Sequence, residues 1–196
     1  MGRKLKIAVI QGHPDAEGRH FGHALADAYA RGAEAKGHDV RRIEVAQLDF
    51  PILRTQTDWQ SSTPPVELKA AQDTLKWCDH MVFIFPLWLG TMPALVKAFL
   101  EQTLRPGFAL IYEGHRFPQK GLKGKSAHVV VTMGMPAFWY RWFFRAQGVR
   151  GLERSILGFC GIKPVRETFI GLVESNDGRR RDRWLEKLTA MGSRGC

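Results

Sequence analysis

Cysteine is scarce and poorly spaced for covalent or metal chemistry. The three thiols, Cys78, Cys160 and Cys196, are an odd number with no C-x-x-C pair. That argues against a disulfide framework and against a zinc site, and it fits a reducing compartment. Cys78 and Cys160 lie among apolar residues and read as small core side chains rather than nucleophiles. The G-x-G-x-x-G and G-x-x-x-x-G-K-S/T loops are also missing, so no nucleotide fingerprint is present. Acidic residues are few: 19 Asp and Glu stand against 29 Lys and Arg, a formal charge of +10. Such a surplus attracts nucleic acid, anionic lipid or small phosphorylated ligands without choosing among them. Its one dense cluster, Arg179-Arg180-Arg181 with Arg183, falls at the mouth of a predicted helix and reads as a solvated helix start. No basic–aromatic module accompanies it, so no nucleic-acid partner is expected.

An uninterrupted membrane span is absent as well. Met81 to Leu100 is almost wholly apolar and long enough to cross a bilayer. However, Pro86, Gly90 and Pro93 break it, and Lys97 would sit in lipid. A buried strand, a tight loop and a core-facing helix account for it better. Met1-Gly2-Arg3-Lys4 runs into a strand-like segment with no signal-peptide core, and a cytoplasmic protein is expected. With 196 residues, 44% of them apolar, one domain over 1–196 is expected.

The chain does contain β-rich runs alternating with helical ones. Leu5 to Ile10 predicts a first strand, and helical spacing from His20 to Lys36 predicts a helix stopped by Gly37. Val40 to Val45 predicts a second strand. An irregular excursion from Asp49 to Pro65 and a helix from Val66 to Cys78 follow. His80 to Phe85, apolar on both faces, suits a central parallel strand. Pro93 opens a helix to Leu104. Ser126 to Thr132 predicts the fourth strand, Phe138 to Phe159 an aromatic, partly helical section, Glu167 to Leu172 the fifth strand, and Arg181 to Met191 the closing helix. Five β-α units argue a doubly wound parallel sheet with helices on both faces. Its ligand site lies outside the carboxyl ends of the strands.

Three loops at those ends have unusual chemistry. Gly12 to Gly22 leads into a helix N-terminus, an anion site to which His13, Arg19 and His20 add donors or charge; the alternative is a polar surface loop. Phe85 to Pro93 is apolar at the end of a central strand. It either packs under neighbouring structure or offers backbone N–H groups to a flat ligand such as an isoalloxazine ring. Thr132-Met133-Gly134-Met135-Pro136 permits close approach of a planar ligand. The aromatic run after it, from Phe138, either walls a pocket or packs in the core.

The segments Phe85-Pro86-Leu87 and Pro93-Ala94-Leu95-Val96-Lys97, with their prolines seven residues apart, resemble the NAD(P)H:quinone oxidoreductase (DT-diaphorase-like) family. That family includes modulators of drug activity and potassium-efflux ancillary proteins. Phe108-Ala109 and Gly158-Phe159-Cys160-Gly161 are similar too, and the likeness runs from Lys6 to Met191.

The resemblance implies a flavodoxin-like α/β fold with strand order 2-1-3-4-5. It also implies a bound flavin (FAD favoured, FMN second), NAD(P)H as co-substrate and a homodimer. The implied activity is ping-pong hydride transfer through flavin N5 to a quinone or similar electrophile. By the same likeness His13 meets the flavin phosphate, with His20-Phe21 at the helix start. Pro86, Leu87, Trp88 and Leu89 contact the ring through their backbone. Thr132 and Gly134, with Met135, bound the ring's far edge. Tyr140 is the catalytic tyrosine that polarises the flavin, and Tyr112 and Phe138 line the substrate pocket. No metal is implied.

The chain departs from the family at several points. Gly22 replaces an Asn, and Trp88-Leu89 stand where the animal enzymes have Gln-Trp. Ala146 and Gln147 occupy the place of the histidine usually paired with the tyrosine. The short segment from Phe50 to Leu68 leaves the adenine end of FAD poorly specified. The resemblance also admits a flavin-binding regulatory subunit in peripheral contact with a membrane transporter. A one-electron carrier is disfavoured, because carriers of that kind present acidic surfaces.

Overall fold

The computed structural model describes residues 3–61, 63–112, 118–175 and 177–196. Met1 and Gly2, the start of the stretch expected to run directly into a strand, lie outside the described residues. The strands are β1 (Lys6–Gln11), β2 (Asp39–Glu44), β3 (His80–Pro86), β4 (Leu110–Ile111), β5 (Gln119–Lys120), β6 (Ser126–Thr132) and β7 (Val165–Ile170). The helices are α1 (Phe21–Ala35), α2 (Gln56–Gln60), α3 (Lys69–Trp77), α4 (Ala94–Thr103), α5 (Ala137–Trp142), α6 (Gln147–Gly151), α7 (Gly158–Cys160) and α8 (Gly178–Arg194), with a π-helical stretch over Leu152–Leu157.

Five parallel strands form the main sheet in the order β2-β1-β3-β6-β7, which is the expected order with the two short strands set aside. The side-chain period of two explains how both faces are filled. Met81, Phe83 and Phe85 of β3 point into one core with Leu75 of α3 and Val96 and Phe99 of α4. Val82 and Ile84 point into the other, with Leu25 and Tyr29 of α1 and Leu188 of α8. Every residue of β3 from His80 to Phe85 is buried, as a strand covered on both sides must be.

Two expectations shift. The fifth strand starts and ends two residues earlier than predicted, and beyond its end Leu172, with φ 57°, turns the chain out of the sheet. The β4–β5 hairpin was not anticipated, since its strands have two residues each and carry no periodicity.

Candidate cofactor site

Helices α1 and α8 run parallel on one face of the sheet and touch closely enough to exclude side chains. A Cβ on Gly32 would lie 2.0 Å from the Thr189 carbonyl, and one on Gly192 would lie 2.1 Å from that of Tyr29. Their N-termini consequently open on the same cleft, of about 600 Å³, at the carboxyl ends of the strands. Loop β1–α1 contributes His13, Arg19, His20, Phe21 and Gly22 to it, β3 gives Pro86, β6 gives Thr132, and the β7–α8 region gives Val173, Glu174 and Arg181. The first turn of α1 holds no acidic residue, and its N-cap, His20, makes no side-chain capping bond. The orphan amides and positive dipole end of α1 are thus free of an anionic partner from their own helix.

The histidines are built into the first loop. Asp15 Oδ1 accepts the Glu17 and Gly18 amides at 2.9 and 3.1 Å, and its Oδ2 meets His20 Nε2 at 2.7 Å. The His20 bond, then the two amides, hold the Asp15 carboxyl down at about 2. His20 is thereby stacked on His13, with ring centroids 3.7 Å apart, and His23 lies 5.6 Å from His13. His13 Nδ1 accepts the Asp15 amide at 3.2 Å. In the neutral ring Nε2 then carries the proton and acts as the donor. Burial, and after it the neighbouring His20 and His23, lower the His13 pKa. Two ring or amide nitrogens near this end, Gln11 Nε2 and His23 Nδ1, are buried without a partner. The Gln11 amide is a buried donor that calls for an acceptor, and His23 Nδ1 is a buried polar atom that calls for a partner.

The second loop is a closed turn. The Trp88 amide donates to Thr91 O at 2.9 Å, and the Thr91 amide returns to Trp88 O at 3.0 Å. Leu89 and Gly90 both have positive φ, 46° and 80°, the geometry of a type I′ turn. Leu89 stands fully exposed at its tip. The Leu87 amide donates to Thr132 O at 2.7 Å. Three amides that a flat ligand could have used are therefore engaged within the protein. Pro86 lines the cleft, while Trp88 meets the His13 ring edge-on at 6.2 Å. Trp88 and Leu89 also open a second, apolar groove of about 760 Å³ with Met92, Pro93, Gly148 and Leu152.

In the third loop Thr132 lines the cleft, and a Cβ on Gly134 would come 3.1 Å from Glu174 Oε1, which sits across it. Met135 is at the margin of exposure. Tyr140 is not among the cleft residues. It is 1% exposed, meets Phe169 edge-on at 5.5 Å, and its hydroxyl donates to the Gly90 carbonyl at 2.9 Å. The phenol proton is held by the second loop. Phe138 is exposed on α5, and Tyr112 lies in a separate pocket with Gln56, Trp59 and Pro106.

The wall made by Val173, Glu174, Gly178 and Arg181 was not foreseen. Its clue was the Asp177-Gly178-Arg179 start of α8, where Asp177 accepts from the Arg180 amide. Arg181 leans over the Phe21 ring at 5.8 Å and donates to Val173 O at 3.1 Å, so one member of the cluster at this helix start lines the cleft.

A 2-1-3-4-5 parallel sheet with a polar cleft at a helix N-terminus, lined by Arg19 and Arg181 and by Glu174 and Asp182, defines a flavodoxin-class protein. The chain belongs to the Flavodoxin_2 family, described as a flavodoxin-like fold, which matches residues 5–191. It is 24% identical to an uncharacterized NAD(P)H oxidoreductase of Haemophilus influenzae, over 93% of this chain and 96% of that one. It is 25% identical to NAD(P)H dehydrogenase (quinone) 1 of Rattus norvegicus, over 84% of this chain and 68% of the rat enzyme. An NAD(P)H:quinone oxidoreductase from Methanothermobacter marburgensis superposes with a TM-score of 0.79 at 20% identity, covering 97% of this chain and 96% of its own. An FMN-dependent NADH-azoreductase from Bacillus anthracis, solved with FMN, superposes with a TM-score of 0.74 at 13% identity, covering 96% and 97%. The resemblance carried by Phe85–Leu87 and Pro93–Lys97 is upheld.

Proposed function

We propose that this protein is a flavin-dependent NAD(P)H:quinone oxidoreductase. One observation supports this reading above the rest: the cleft where the α1 and α8 N-termini meet His13, Arg19, His20 and Arg181 beside Pro86 and Thr132. The donor set fits the phosphate end of a flavin, and the unpartnered Gln11 Nε2 adds to its demand for acceptors. The apolar turn and Thr132 flank the space for the ring. The flavin, when bound, would supply hydride exchange between NAD(P)H and a quinone in two ping-pong half-reactions. FMN needs only the seat at α1.

The chain's own residues hold and orient. The α1 amides and His13 would bind phosphate, with Arg19 and Arg181 neutralising its charge. Tyr140 acts on the ring site as a positioning residue, through its bond to Gly90. The Trp88–Leu89 groove would take a second copy, giving a homodimer. The compartment would be the reducing cytoplasm that three unpaired thiols suit.

The test is direct. Purified protein, reconstituted with FMN or FAD, should show flavin absorbance that NADPH bleaches and menadione restores. A protein that takes up neither flavin overturns the reading.

A further inference from the structure

The glycines of the α1–α8 pair are not alike. Cβ atoms on Gly32 and Gly192 would overlap the facing helix, so close packing requires glycine at both. Gly22, in the first turn of α1, has no such reason. Its backbone is helical and outside the left-handed region. Apart from its chain neighbours and its own helix backbone, a Cβ there would find one atom within 4 Å among the described residues, Gln11 Nε2 at 4.0 Å. Alanine would make that contact freely, and alanine is the better helix former. Gly22 is buried and lines the cleft, so the space it leaves free opens toward a ligand.

Gln11 lies beneath that space. It ends β1, is 1% exposed, and by the period of two shares the sheet face of Ile7 and Val9 that α1 covers. Its Oε1 accepts the His13 amide at 2.9 Å. A backbone N–H can only donate, so the side-chain oxygen must face it and the NH2 group must turn away. That NH2 group has no partner, and a buried donor without an acceptor is costly. No carboxylate is at hand to take it: Glu174 and Asp182 line the cleft, but neither comes within 4 Å of the Gly22 position. A glycine without a packing role and a buried amide without an acceptor thus meet at one point, beside the orphan amides of α1.

We propose that Gln11 is a further binding residue for the flavin phosphate, its side-chain amide donating to a phosphate oxygen through the space that Gly22 keeps open. This assignment rests on the flavin reading above. The full chain is titrated with FMN and with riboflavin, which differ only in the phosphate, and binding is read by fluorescence quenching. The unaltered protein should prefer FMN. Gly22→Ala fits without overlap and should not lower the unfolding midpoint. It should nevertheless cut the preference for FMN roughly tenfold, with riboflavin affinity held within about twofold, because one bond to a charged oxygen is lost. Gln11→Glu keeps an acceptor for the His13 amide but sets an anion where the donor was, and it should abolish the preference. If Gln11→Glu does not fold, Gly22→Ala alone decides. A preference for FMN that Gly22→Ala retains in full overturns the assignment and leaves the flavin reading standing, as does an equal loss of both ligands. An unaltered protein that binds neither flavin overturns that reading, and the assignment with it.

Discussion

Histidines occupy both ends of this sheet, and the two groups are held in opposite ways. At the carboxyl end His13, His20 and His23 cluster on and beside a polar loop, tied to Asp15 and lining or flanking a cleft. Toward the amino end His80 and His128 are each 3% exposed between strands, with Ser126 Oγ at 2.7 Å from His80 Nδ1 and Thr168 Oγ1 at 2.8 Å from His128 Nε2. Each buried ring has one nitrogen without a partner, His80 Nε2 and His128 Nδ1. An imidazole in the cleft can take a proton or an anion with solvent at hand. An imidazole between strands takes a proton only against the cost of burial. The same side chain is a ligand group at one end and a pH-sensitive packing element at the other.

The largest expected effect tests the buried pair. Burial, then His128 and Arg166, bring the His80 pKa to about 4, below the ordinary value of 6.5. Between those values the unfolded chain binds more protons than the folded one, so stability rises with pH there. The contribution is complete above the unfolded value and is lost as pH falls from 6.5 through about 4. A shift of that size corresponds to about 3 kcal/mol. Urea unfolding across this range should show the loss, and His80→Asn should flatten it while leaving FMN affinity at neutral pH unchanged. An equally steep acid limb in the variant would remove His80 from the explanation.

The cleft group should respond in the reverse manner. A hydrogen bond to a charged partner is worth about 1.5–3 kcal/mol, so His13→Ala should weaken FMN binding roughly 10- to 100-fold, measured by flavin fluorescence quenching. Its unfolding midpoint at neutral pH should barely move, because His13 contributes little to either core. If His13→Ala destabilised the fold and left FMN affinity intact, the contrast between the two ends would fail.

This contrast also marks how far the sequence could be read. Short-range patterns located the sheet, because His80–Phe85 and Ser126–Thr132 are apolar enough on both faces to have no other place in a fold. The first loop was legible for a similar reason: its donors lie within ten residues of one helix start. The α8 wall was not. Arg181 reaches the cleft only because Gly32 and Gly192 let two helices, distant in sequence, run side by side. Nor does the sequence show that the β4 segment carries Tyr112 to the Trp59 pocket. Nor did residue types reveal that the Pro86–Pro93 loop would close on itself. Leu89 adopts a conformation that glycine or asparagine usually supplies.

That closed turn makes Tyr140 the subtlest test. The catalytic role implied by the resemblance needs a phenol proton facing the flavin, yet the hydroxyl donates to Gly90, next to the left-handed Leu89. Tyr140→Phe keeps the ring against Phe169 and removes one bond of about 1 kcal/mol, leaving a carbonyl without its donor. The turn should loosen without unfolding. We expect FMN affinity to change less than about threefold, on the scale of a fraction of that bond, while hydride uptake from NADPH in stopped flow slows several-fold. The pH profile separates the two roles. A proton donor to the flavin would lose a pH-dependent limb on substitution, whereas a positioning residue would lower the rate in parallel at every pH. A parallel loss supports positioning through Gly90, and an unchanged rate would remove Tyr140 from both roles.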